Sequence, residues 1–208
     1  MDELFECNKL SKSYLNKKVF ENLELKIRKK SIFQVCGQNG SGKTTLLKIL
    51  SGLDKDYSGT VNFNNKEIQN IENDFYKDVL FLPSVPSFYN DLSLRKNLEF
   101  FSKIYQNNIN FDDDLMNLLN LKKILNENIT NLSDGQRKKG QLFFAISISP
   151  KVLIFDEPFN FIDDSTQEII QNYIKKINNN KDSTIIFSDN SIRSYQFEIN
   201  RKVDLKNV

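Results

Sequence analysis

Apolar positions along the chain change their rhythm several times. Residues 3–10 and 19–27 alternate or run continuously apolar, as half-buried strands do, with 14–18 as the turn between them. A short apolar run, 32–36, ends at Gly37, and 44–51 then carries apolar residues at helical spacing up to Gly52. Residues 60–63 and 66–68 around Asn64-Asn65 predict a hairpin, and 79–82 predicts a buried strand stopped by Pro83. From Leu92 to about Leu142 the period is helical, with Leu94, Leu98, Phe101 and Ile104 on one face and Leu115, Leu118, Leu119 and Leu121 on another. Runs at 152–155 and 184–187 flank a helix around 167–177, the βαβ rhythm of a parallel sheet, and a last strand is expected near 201–205. The expectation is one α/β domain over 1–208, with a core from 1–83 and 143–208 and an inserted helical subdomain over 84–142.

Composition narrows this picture. A chain of 208 residues with 39% hydrophobic and 27% charged residues can bury one sizeable core. No apolar stretch reaches the roughly 18 residues that span a bilayer, and the acidic start, Met1 to Glu6, lacks the features of a secretory signal. A cytoplasmic protein is therefore expected. A net charge of +2, spread among acids and asparagines, argues against a nucleic-acid surface. Cys7 and Cys36 lie in apolar runs without metal-ligand spacing and read as buried small hydrophobes. Histidine is absent, which excludes His-based metal sites and His acid–base chemistry.

Three segments carry chemistry. Gly37-Gln38-Asn39-Gly40-Ser41-Gly42-Lys43-Thr44 fits the phosphate-binding loop and falls between a predicted strand and a predicted helix. Its glycines let backbone N–H groups turn inward, and Lys43 adds a full charge for the β- and γ-phosphates. Thr44 is placed to ligate Mg2+, and Thr45 to reach the α-phosphate. Asp156 and Glu157 follow the apolar run 152–155, so that Asp156 can meet the metal and Glu157 can polarise a water. Leu132-Ser133-Asp134-Gly135-Gln136 reads first as a capping box, Ser133 with Gln136, opening a helix. The same capped tip is also an anion site, and both readings can hold together.

In this order the motifs resemble the ATP-binding subunits of ABC transporters over nearly the whole chain. The fold implied is a P-loop NTPase of the ABC type, a mostly parallel core sheet with an antiparallel β subdomain and a helical insertion. Asp134 stands where the signature of that family has its first glycine. The resemblance implies a head-to-tail dimer, as a homodimer or a heterodimer, in which each ATP lies between one phosphate loop and the other subunit's signature, Ser133, Gly135 and Gln136. It further implies that Tyr14 stacks on adenine and that Asp163 links the two sites, although an acidic helix start explains Asp163 equally well. Residues 88–97 resemble the stretch that docks on membrane helices, which implies a transmembrane permease subunit as partner and a peripheral place on the cytoplasmic face. A loop with Ser93 capping the next helix is the plainer reading of those residues.

Two positions depart from the family. Ser84 stands in place of the Mg2+-sensing glutamine and, being shorter, reaches a metal only through water. Asp189 stands in place of the switch histidine, and a carboxylate beside a γ-phosphate is repelled; Asp189 either points away or leaves the role to Asn190. Slow ATP hydrolysis is the consequence expected. A soluble ABC-type ATPase serving a cytosolic assembly complex, or a nucleotide-gated partner of a more complete subunit, are the alternatives. An unrelated kinase or GTPase has no use for the signature.

Overall fold

Two sheets account for all the named strands in the computed structural model, which describes residues 2–15, 17–70, 74–105, 109–180, 183–190 and 195–205. In chain order the elements are β1 (Glu3–Tyr14), β2 (Lys17–Arg28), β3 (Ile32–Cys36), α1 (Lys43–Leu50), β4 (Ser58–Phe63), β5 (Lys66–Glu67), α2 (Asp74–Asp78) and β6 (Val79–Leu82). They continue with α3 (Leu94–Ile104), α4 (Asp113–Leu118), α5 (Asp134–Ile148), β7 (Val152–Phe155), α6 (Asp164–Asn180), β8 (Thr184–Asp189) and β9 (Arg201–Asp204). The antiparallel sheet has the order β2-β1-β4-β5, and the parallel sheet the order β6-β7-β8-β3-β9. A parallel core sheet, an antiparallel sheet and a helical stretch between β6 and β7 are the elements expected from the sequence.

The apolar runs of the parallel strands divide by parity between two cores. Leu153 and Phe155 of β7, with Ile185 and Phe187 of β8, point into a core shared with α3, α5 and α6. Val152, Ile154 and Ile186 point the other way, onto α1 and the antiparallel sheet. Period-2 geometry forces this split, because successive Cβ atoms leave opposite faces of a strand. A sheet covered on both faces needs no polar positions, and so its strands read as continuous hydrophobic runs.

Several expectations meet corrections. β1 and β2 run further than predicted and meet in a tighter turn, whose Asn16 lies outside the described residues. The hairpin is closed at Asn64 and Asn65, both with φ above zero (49° and 63°), as a two-residue turn requires. Its second strand is only Lys66–Glu67, since Ile68 turns into a short 3-10 helix and is buried. Ile104 and Leu118 stand largely in solvent instead of on the inner faces assigned to them. α4 is too short to sustain a helical stripe: Met116 and Leu119, three apart, face inward and carry Leu118 outward. α5 runs unbroken through residue 142, across the boundary drawn there from the sequence.

Candidate functional site

The site gathers at the C-terminal ends of β3, β6, β7 and β8, where an open parallel sheet presents its loops. Parallel pairing brings Cys36 beside Asp189, and Leu82 beside Phe155. The residues that follow these positions converge: the phosphate loop, Ser84, Asp156-Glu157 and Asn190.

The phosphate loop folds as the sequence predicts. Gly42 is the N-cap of α1 with φ 99°, and a Cβ there would come within 2.4 Å of Val19 Cγ1. Only glycine satisfies both demands. Lys43 is buried, and its ammonium donates to the carbonyls of Gly37 (3.0 Å) and Gln38 (3.1 Å). These bonds hold the cation curled over the loop in the place a phosphate would neutralise. Asn39 and Gly40 are exposed on the rim, Ser41 and Thr45 are half-buried, and the buried Ser41 hydroxyl has no partner. An orphan buried hydroxyl in the phosphate loop fits an incoming anion.

The Thr44 hydroxyl donates to Asp156 Oδ2 at 2.8 Å, so the two oxygens proposed for Mg2+ are already together. Asp156 Oδ1 accepts from the Ser188 hydroxyl at 2.7 Å, and Ser188 Oγ also accepts the Glu157 N–H at 2.9 Å. Hard oxygens from a hydroxyl and a buried carboxylate suit Mg2+, which commonly takes one or two carboxylates plus substrate phosphates. Glu157 sits at φ 48°, an uncommon conformation for this residue type. Its carboxylate accepts from Asn160 Nδ2 at 2.7 Å and lies 3.9 Å from the Lys43 ammonium. Ser188 and Asn160 belong to the site and escaped sequence reading, because each is an ordinary polar residue until β8 and the turn after β7 bring it to the acids.

The two departures find different surroundings. Ser84 enters through its backbone: its carbonyl accepts from the Lys138 ammonium at 3.1 Å, while its hydroxyl is not joined to the Thr44–Asp156 pair. The structure therefore does not bring the Ser84 hydroxyl to the proposed metal ligands. Lys138, on α5, is 2% exposed. Burial lowers its pKa to about 8, against the opposing charges of Asp156 and Glu157. This buried cation went unnoticed in the sequence, where it sits in a run of three basic residues that reads as a solvated helix face. Asp189 is buried and accepts from the Tyr195 hydroxyl at 2.5 Å, whereas the Asn190 side chain hydrogen-bonds Asn39 on the phosphate loop. Between the two alternatives left open above, the geometry directs Asp189 to Tyr195 and Asn190 to the loop.

The signature segment opens α5 with a complete capping box. Ser133 N–H donates to Gln136 Oε1 (2.9 Å), and Gln136 N–H to Ser133 Oγ (3.2 Å). Ser133 and Asp134 are exposed, leaving the helix tip open to an approaching surface. Beside it, a Cβ on Gly135 would come within 3.0 Å of the Phe161 carbonyl. Asp163 accepts from Lys139 (2.8 Å), Ser165 (2.6 Å) and the Thr166 N–H (2.8 Å), which makes it the cap of α6 as well as a tie to α5. The Lys139 ammonium, followed by these hydroxyl and backbone donors, holds its carboxyl well below the usual carboxylate range. Tyr14, at the end of β1, is 48% exposed, and its hydroxyl donates to Asp54 Oδ2 at 3.1 Å.

Residues 20–160 match the model of the ABC transporter family. Among curated relatives, a cytochrome c biogenesis ATP-binding export protein of Reclinomonas americana is 37% identical over 71% of this chain and 68% of its own length. The ATP-binding protein of the lipoprotein-releasing system of Buchnera aphidicola is 28% identical over 91% of this chain and 89% of its own. A solved dimeric ATP-binding cassette bound to ADP and Pi superposes with a TM-score of 0.79 at 22% identity, covering 91% of this chain and 89% of that one.

Proposed function

The chain belongs to the ABC transporter family, whose members named above are ATP-binding subunits, and from that premise we propose that it is a transport motor that closes around ATP as a dimer and hydrolyses it slowly. The observation that carries this reading is the meeting of Lys43, Thr44, Asp156 and Glu157 at one sheet end, with the open tip of α5 exposed for a second subunit.

In this reading Lys43, Ser41 and the loop N–H groups bind the phosphates, and Thr44 with Asp156 holds Mg2+. When bound, Mg2+ supplies positive charge that offsets the charge developing on the transferred phosphoryl group. Glu157, aimed by Asn160, orients the attacking water and takes its proton. Ser133, Gly135 and Gln136 of a second ATPase subunit, another copy or a more complete partner, clamp the γ-phosphate. The amide of Asn190 replaces a cationic donor with a neutral one, which is the physical reason for a low rate.

A membrane permease as partner is supported by the surface beside β6. Pro83, Phe88, Phe101, Tyr105 and Phe144 line a mainly apolar cleft between the sheet edge and α3 and α5, bordered by exposed Val85, Tyr89 and Phe100. No helix among the described residues is long and apolar enough to cross a membrane, so attachment at the cytoplasmic face runs through that partner. The test is steady-state ATP hydrolysis by the purified chain with its partner. Glu157→Gln should lower kcat by about 100-fold or more, the scale of lost general-base catalysis. An unchanged rate would remove Glu157 from the mechanism.

A further inference from the structure

Asp189 ends β8 at a place where an acid works against anion binding. Parallel register sets it beside Cys36, one residue before the phosphate loop, and the next residue, Asn190, hydrogen-bonds Asn39 on that loop. Burial pushes the Cys36 thiol up, and among the charges that reach it are both Asp189 and Lys43. A carboxylate this near the loop and an incoming phosphate compete for the same ammonium.

The carboxylate is nevertheless turned away. Asp189 and Phe187 leave one face of β8, and Ser188 leaves the other to reach Asp156. On the Asp189 face the Tyr195 hydroxyl donates to Asp189 Oδ2 at 2.5 Å, and Gln34 Nε2 donates to the Tyr195 oxygen at 3.3 Å. Gln34 is buried on β3, opposite Phe187 in the register, so it approaches from the same side. With its oxygen accepting from Gln34, the phenol directs its one proton to the acid. The ring is held in turn. It stacks on Phe197 with centroids 5.1 Å apart and 26° between planes, and it packs against Phe187 (5.4 Å) and Phe159 (5.6 Å). Phe159 follows Glu157 by two positions, which ties the aromatic cluster to the turn that carries the acids.

We propose that Tyr195 is a positioning residue for nucleotide binding: it tethers Asp189 on the far face of β8 and so keeps its carboxylate off the Lys43 ammonium that the phosphates need. This rests on the phosphate-loop reading above and extends it to a residue outside the loop. Without the phenol donor, a buried carboxylate loses a hydrogen bond, and turning toward the loop offers it water and the ammonium together. Each arriving triphosphate then has to displace it. The tether is what lets an acid stand at the mouth of an anion site.

The experiment is calorimetric titration, with Mg2+, of the β,γ-imido analogue of ATP and of inorganic tripolyphosphate. Tyr195→Phe keeps the ring, removes only the hydroxyl and should weaken both ligands by about 3- to 10-fold. Asp189→Asn alone should stay within about twofold of the wild type, and Asp189→Asn added to Tyr195→Phe should bring both affinities back to that range. A merely structural role for the phenol leaves the double variant as weak as Tyr195→Phe. That result overturns the proposal, as does a folded Tyr195→Phe with undiminished affinity. Should Tyr195→Phe not fold, Gln34→Leu frees the phenol to turn and should weaken both ligands by about 2- to 3-fold, with unchanged affinity again overturning the proposal. A wild-type chain that binds neither ligand would strike the phosphate-loop reading itself, and the proposal with it.

Discussion

The end of β3 and the ends of β6 and β8 border the same site, yet they are built on different plans. At β3 the binding groups come from one contiguous stretch, Gly37 to Thr45, shaped by backbone N–H groups, a helix start and one curled lysine. At β6 and β8 the groups come from distant parts of the chain: Lys138 reaches Ser84 across 54 positions, Ser188 reaches Asp156 across 32, and Asn190 reaches Asn39 across 151. A contiguous site tolerates little change, because each residue depends on its neighbours for φ, ψ and direction. A site assembled from separate strands can lose one side chain and recruit another. The departures at Ser84 and Asp189 fall in the second region alone.

The contrast predicts unequal damage. Lys43→Ala, in the contiguous half, removes a charge-assisted partner and should weaken Mg-ATP binding by about 10- to 100-fold in calorimetry. Retention of full affinity would erase the distinction. In the assembled half, Asn190→Ala removes a neutral donor and should lower kcat by about 2- to 10-fold with the Mg-ATP Kd unchanged. Asp189→His should change kcat by less than about twofold, since Asp189 is directed to Tyr195 and not to the loop. A large gain there would place the missing function at Asp189 after all.

Lys138→Met is a subtler probe. It keeps the volume, removes the donor to Ser84 and removes a buried charge that burial opposes. The urea midpoint should hold or rise, while kcat falls by about two- to fivefold because the Ser84 segment is no longer held. A fall in stability with kcat intact would make Lys138 purely structural.

Smallest is the effect of Asp163→Asn. Its carboxyl is held below its ordinary value in the fold, so its contribution is fully present above about pH 4 and fades as pH falls further. The carboxylate is half exposed, and the stability difference should stay under about 1 kcal/mol at neutral pH and shrink toward zero in acid. A difference that grows as pH drops contradicts the assignment.

The same contrast explains what was legible in the sequence. The phosphate loop, the capping box at Ser133 and the apolar run before Asp156 are local patterns with fixed spacing, and each was read in place. The parallel core strands were legible because both faces are covered, which leaves unbroken apolar runs. Ser188, Asn160 and Lys138 were not legible, because nothing local separates a hydroxyl that orients Asp156 from one on a loop. Short elements misled for a related reason: six residues of α4 are too few for periodicity to decide which leucines face inward.

The central claim is that ATP joins the lysine loop of one subunit to the capped tip of α5 on another. Sedimentation of the Glu157→Gln chain, alone and with Mg-ATP, tests it most directly. The account predicts a monomer that becomes a dimer with ATP, and a Ser133→Arg version that still binds ATP but stays monomeric. A Glu157→Gln chain that saturates with ATP and remains a monomer, or a Ser133→Arg chain that dimerises as readily, would contradict it.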